Sequence, residues 1–164
     1  MGLETAASLA ICLVTVWAAL LDVATRSIPN RAPAALVALG LPLRIHDSEA
    51  MWALAASTCV FALAFFAWRR GWMGGGDVKM FAAGAMTAPP WLVPSQILAI
   101  SLAGGVLGLV YLLLRRFSPR PAETRPASRV GRILRAERWR IRRGAPLPYG
   151  CAICAGIVFT LLQG

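Results

Sequence analysis

The apolar residues of this chain fall in blocks long enough to cross a bilayer, and that arrangement leaves few folds open to it. The blocks lie near residues 5–24, 33–45, 50–68, 78–89, 92–114 and 148–163. The first, third and fifth approach the ~20 residues that an α-helix needs to span hydrocarbon. The second, fourth and sixth are shorter, and suit a thinned bilayer or the inside of a bundle. Only 15% of the residues are charged and 58% are hydrophobic, whereas soluble domains carry about 25% charge. The sequence therefore predicts an all-α integral membrane protein, a polytopic bundle of about six transmembrane helices. One membrane-embedded domain over residues 1–164 accounts for the length.

Charge divides the connections into two sets. One holds Arg26 and Arg31, then Arg69, Arg70 and Lys79, then every arginine from Arg115 to Arg143; the other holds Arg44, beside His46, Asp47 and Glu49. Alternate loops face the same side, and the basic set is cytoplasmic by the positive-inside rule. Both termini then face outward. The opening MGLETAASLA has no basic segment and carries Glu4, so the first block is expected to be a retained span rather than a cleaved signal. A net charge of +10 invites nucleic acid as a partner. No aromatic stacking pattern accompanies the arginines, so nucleic-acid binding is not expected.

Residues 115–147 form a basic cytoplasmic loop of different character. Its first part is rich in Pro, Ser and Arg and is expected to be flexible. From Ser128 onward, Val130, Ile133, Leu134, Trp139 and Ile141 recur at near-helical spacing among arginines. Two readings stay open. One is an amphipathic helix on the inner leaflet, its arginines at anionic headgroups; the other is a solvated basic loop that simply obeys the charge rule. Gly104 with Gly108, and Ala152 with Gly156, have the spacing that lets membrane helices approach closely. Cys151 and Cys154 form a CxxC without a second pair or a nearby histidine. They read as small packing residues rather than a zinc or redox site.

The chain has three aspartates, Asp22, Asp47 and Asp77. Asp47 belongs to the outer loop and reads as solvated. Asp22 closes the first apolar block and Asp77 opens the fourth, so both fall at the cytoplasmic edge of the membrane. Each has a plain structural reading. Asp22 has Arg26 at i+4, a pair worth about 0.2–0.5 kcal/mol on a helix surface, and Asp77 suits the N-cap of the following helix. Two such carboxylates at one membrane face, one of them behind Gly74, Gly75 and Gly76, point instead to chemistry, because charge at that depth is costly. Carboxylates within a few ångströms of each other share a proton: one acts as base toward water while the other protonates a departing amine or polarises a carbonyl.

The residues around the pair have expected roles too. The glycines permit positive φ and let an extended substrate backbone approach Asp77. Pro29 is expected to end the first helix's extension, and Asn30 to cap the next helix or fix the loop beneath Asp22. Tyr149 and Trp72 read first as interfacial anchors, with the Tyr149 hydroxyl near the site as the alternative.

The segment MGGGDVKM resembles the G-x-G-D motif of intramembrane aspartyl proteases, and the trailing Val78-Lys79 is typical of type IV prepilin peptidases. LDVATRSIPN is similar to that family's first aspartate motif, an Asp followed by Ile28-Pro29-Asn30. LPYGCAICAG is similar to the Pro-Tyr-Gly entry into the last span of the small peptidases of Tad-type (Flp) pilus systems. The resemblance implies an aspartic endopeptidase of the bacterial inner membrane that cuts the leader peptide from Flp-type prepilins at the cytoplasmic face. Asp22 and Asp77 would be its catalytic pair, Gly74 and Gly76 its motif glycines, and Lys79 a border of the site. No metal or cofactor is implied.

Larger relatives carry a cytoplasmic domain with paired CxxC motifs and also methylate the new pilin N-terminus. This chain has no such domain, and methyltransferase activity is not expected. Its long basic loop has three uses open to it: anionic lipid, the pilus assembly machinery, or gating of the site. Two rival functions are a catalytically inactive scaffold of pilus assembly and a small transporter. Retention of both aspartates and the glycines argues against the first. The second calls for acids near the bilayer midplane rather than at one edge.

Overall fold

The computed structural model describes residues 2–117 and 128–163. Among them each apolar block forms one helix: α1 (Leu3–Thr25), α2 (Arg31–His46), α3 (Ala50–Arg69), α4 (Gly75–Thr87), α5 (Val93–Phe117) and, last in the chain, α7 (Tyr149–Leu161). A 3-10 turn, Pro90–Leu92, leads into α5. The arginine-rich stretch is a helix as well, α6 (Arg129–Arg143), rather than an irregular loop. Ser128 caps it by accepting a hydrogen bond from the Gly131 N–H at 3.0 Å. The Pro-rich part of the basic loop, expected to be flexible, lies outside the described residues at 118–127.

Three stretches are long and apolar enough to cross a membrane: Glu4–Thr25, Ala50–Arg69 and Pro90–Phe117. They leave large side chains uncovered, with Leu13 71%, Met51 80% and Leu102 63% exposed. Apolar surface on that scale is what lipid covers, and this is an integral membrane protein. Tyr149–Leu161 is a shorter apolar helix.

The shorter helices are the more buried ones. α4, at 13 residues, is about 20 Å long at ~1.5 Å per residue, and it packs against α2, α3 and α7. Val78, Met80, Ala82, Ala83, Ala85 and Met86 along it are buried. α7 packs between α1, α4 and α5, closing a core of Ile11, Leu36, Met80, Ile100, Ile153 and Ile157. Small residues set these distances. A Cβ on Gly156 would stand 2.2 Å from Cγ1 of Ile100 in α5, and one on Gly40 3.0 Å from the Met86 carbonyl in α4. Gln96, fully buried, donates from Nε2 to the Gly84 carbonyl (3.3 Å) and to Thr160 Oγ1 (3.2 Å), tying α5 to α4 and α7.

The helix ends fall into two groups of different chemistry. At one end Arg44, buried at the close of α2, pairs with Asp47 and Glu49, each at 3.1 Å. The other end gathers the C-terminus of α1, the N-termini of α2, α4 and α7, the last turns of α5, and α6.

Candidate active site

The basic end is assembled by contacts between the two aspartate segments. α1 ends at Thr25, where Arg26 turns left-handed (φ +56°) and donates its N–H to the Asp22 carbonyl at 2.8 Å. The helix is therefore stopped three residues ahead of Pro29, which was expected to end it. Ile28 then lies against Gly76, where a Cβ would stand 3.3 Å from the Ile28 Cβ. Asn30 occupies the N-cap of α2 but makes no side-chain cap bond. Its Oδ1 instead accepts from Lys79 Nζ at 2.9 Å. Ile28 on Gly76 and Asn30 on Lys79 thus lock the α1–α2 turn onto the start of α4. An open groove of about 440 Å³ runs beside that lock, between Asn30, Pro33, Val37, Phe61, Lys79 and Ala83.

Asp22 is buried at the end of α1, 6% exposed. Its Oδ2 accepts the Gly150 N–H at 2.9 Å, one of the amides that a helix leaves unpaired in its first turn. Only glycine allows this, because a Cβ at 150 would fall 2.9 Å from that same oxygen. The plain structural alternative, an ion pair with Arg26, is not formed: the guanidinium goes to Glu137 of α6 instead. Tyr149, ahead of Gly150, is half-buried against α5, where a Cβ on Gly104 would meet its ring at 2.7 Å.

Asp77 stands at the third position of α4, not at its N-cap, which is Gly74. Its Oδ2 accepts the Gly74 N–H at 3.3 Å. The glycine run acts through its lack of side chains rather than through left-handed backbone. Gly74 has φ −73°, Gly75 and Gly76 are helical, and the positive-φ glycines among the described residues are Gly71 and Gly144. A Cβ on Gly74 would reach to 2.9 Å from Asp77 Oδ2, and one on Gly75 to 3.4 Å from Trp68 Nε1 in α3. Asp77 thus stands at the same end of the bundle as Asp22 and Tyr149.

Over residues 9–112 the sequence matches the type IV leader peptidase family. The chain belongs to that family. It is a family of prepilin leader peptidases, aspartic proteases whose substrates are prepilins. Neither a curated protein nor a solved structure matches this leader peptidase family member. The matched stretch contains Asp22, Pro29, Asn30, Gly74, Gly75, Gly76, Asp77 and Lys79; Tyr149 lies beyond it.

Sequence reasoning passed over Gly150, although the Pro-Tyr-Gly segment had been singled out, and it gave Glu137 and Arg140 no role. Metal-ligand types converge elsewhere. Glu4, His46 and Asp47 bring ligand atoms within 4.8 Å of one another, all exposed. They lie at the far end of α1 from Asp22, and Asp47 is already paired with Arg44. Cys151 and Cys154 are free thiols, half-buried in α7.

Proposed function

We propose that this leader peptidase family member is an intramembrane aspartyl endopeptidase that cuts Flp/Tad-type prepilins at the cytoplasmic face, with Asp22 and Asp77 as its catalytic pair. One observation carries the reading. Two carboxylates from helices far apart in sequence come to the same end of the bundle, each held through Oδ2 by a backbone N–H. That leaves an oxygen on each for water and for the scissile peptide. One carboxylate takes a proton from water as the oxygen attacks the carbonyl carbon. The carboxylic acid beside it gives its proton to the departing amine as the C–N bond breaks. The leader leaves with a new carboxylate and the pilin with a new N-terminus.

The remaining assignments follow from the same end of the bundle. Gly74, Gly75 and Gly76 keep the approach to Asp77 free of side chains. Lys79, Asn30 and Pro29 form its margin, and Tyr149 its wall. The basic end is the cytoplasmic one by the charge rule, which gives six spans, both termini outside, and a bacterial inner-membrane location. α6 rests on anionic lipid, with Val130, Leu134 and Trp139 exposed among its arginines.

The test is cleavage of a co-expressed Flp-type prepilin, read by gel shift and N-terminal sequencing. Asp22→Asn and Asp77→Asn should each lower processing by about 10³-fold or more at normal membrane levels, while Asp47→Asn, at the opposite end, processes normally. Continued processing by either of the first two would remove that aspartate from catalysis. An inert wild type would favour the scaffold.

A further inference from the structure

The stretch beyond the family match contributes more than lipid-facing surface. α6 is joined to the bundle by a part-buried ionic cluster centred on Glu137, whose side chain is 12% exposed. Its Oε1 accepts from the Arg26 guanidinium and from the Tyr111 hydroxyl of α5, and its Oε2 from Arg140 Nη1 at 3.2 Å. The Arg26 guanidinium also lies 5.9 Å from the Tyr111 ring centroid.

Arg140 then reaches the end of α1. Its Nη1 donates to the Val23 carbonyl at 2.9 Å and its Nη2 to the Ala24 carbonyl at 3.3 Å. These carbonyls belong to the last turn, which the helix itself leaves without partners, and a cation there also complements the helix dipole. Val23 and Ala24 directly follow Asp22. Past Arg143 the chain turns at Gly144 (φ +67°) and enters α7, whose Gly150 N–H holds the Asp22 carboxylate. Arg140 and Gly150, ten positions apart, thus grip Asp22 twice, by its backbone neighbours and by its side chain.

We propose that Glu137 and Arg140 are positioning residues that fix the C-terminal turn of α1, and so the place of Asp22 opposite Asp77. The inference rests on the catalytic pair proposed above. A planar guanidinium spanning two successive carbonyls fixes both the height and the rotation of that turn, which a lone ammonium does not. Glu137 holds the guanidinium in place, and Arg26 and Tyr111 hold Glu137 against α1 and α5.

The full-length protein in lipid bilayers, supplied with a purified Flp-type prepilin, allows the test. Glu137→Gln and Arg140→Gln should lower kcat by about ten- to hundredfold while KM stays within about twofold, the mark of lost positioning rather than lost binding. The double variant should be no worse than the poorer single one, because both act through one contact. Arg140→Lys should recover part of the loss, and Arg138→Gln, on the exposed face of α6, should change nothing. Should Glu137→Gln fail to accumulate, Glu137→Asp carries the same test.

A second readout needs no activity. Amide hydrogen exchange over residues 22–28 should quicken by about tenfold or more in the variants, with α2 to α4 unchanged. Faster exchange with full kcat, unchanged exchange, or a rise in KM alone would each overturn the proposal. A wild type that cleaves nothing would sink the catalytic reading instead, and the exchange data would still report on the grip.

Discussion

Gly150 is the residue on which the surroundings of Asp22 turn. A methyl group there would sit 2.9 Å from Asp22 Oδ2 and 3.1 Å from its Cβ, and Asp22 is walled in by protein. Gly150→Ala should therefore displace the carboxylate by a fraction of an ångström and lower kcat by about 10²-fold while the protein still reaches the membrane. Near-wild-type turnover by that variant would show that Asp22 tolerates displacement, which a catalytic pair does not. The proposed pair also fixes the form of the pH dependence. Activity rises as the first carboxyl loses its proton and becomes the base, then falls as the second loses the proton it must donate, so kcat/KM is bell-shaped and its limbs belong to the pair. A profile of purified enzyme that only rises with pH would remove the acid from the mechanism. Much at this scale was legible in the sequence, because carboxylates are rare in apolar helices and stand out. The partners were not. Gly150 carries no chemistry of its own, and Arg26, four residues from Asp22, looked like its partner until Glu137, 111 residues away, took that guanidinium.

Periodicity and length were enough to delimit the helices, since a block that must bury or hydrogen-bond every amide within a membrane has only one economical form. Which helix is central was not readable in the same way. α4 and α7 have the same length, 13 residues, and their place inside follows from small residues that meet partners distant in sequence. Gly156 is the sharpest case, lying against Ile100 and the Gln96 carbonyl of α5. Gly156→Val should destabilise the bundle by about 1–3 kcal/mol, the usual cost of overpacking, measurable as a lower unfolding temperature in detergent. Adding Ile100→Ala should recover part of that loss, because the added methyl groups then have room beside Cβ. No recovery would mean that the clash is with the Gln96 carbonyl, 3.1 Å from the same point. The α1–α2 turn shows a second limit of sequence reading. Pro29 is the residue that announces a break, yet the chain has already left the helix at Arg26, where a left-handed residue closes it.

For the molecule as a whole, the open variable is orientation, and the charge distribution fixes an expectation for it. Sixteen of the seventeen basic residues belong to one set of connections, leaving Arg44 at the other end, and Arg44 is neutralised locally by Asp47 and Glu49. A bundle with one strongly basic end resists translocation of that end, so the end bearing α6 and the proposed pair should be cytoplasmic. Two exposed positions report on this. Ser48 lies in the turn between α2 and α3, and Trp72, 73% exposed, in the turn between α3 and α4. With Cys12, Cys59, Cys151 and Cys154 first replaced, a membrane-impermeant maleimide should label Ser48→Cys in intact spheroplasts and Trp72→Cys only after the membrane is opened. The reverse pattern would put Asp22 and Asp77 on the outer face, where the leader of a prepilin still awaiting export is out of reach. Labelling of both from outside would mean that α3 does not cross. The six-span reading would then fall even though the helices themselves stand, because the Ile28–Gly76 and Asn30–Lys79 contacts that bring the two aspartates together depend on the fold and not on its direction in the bilayer.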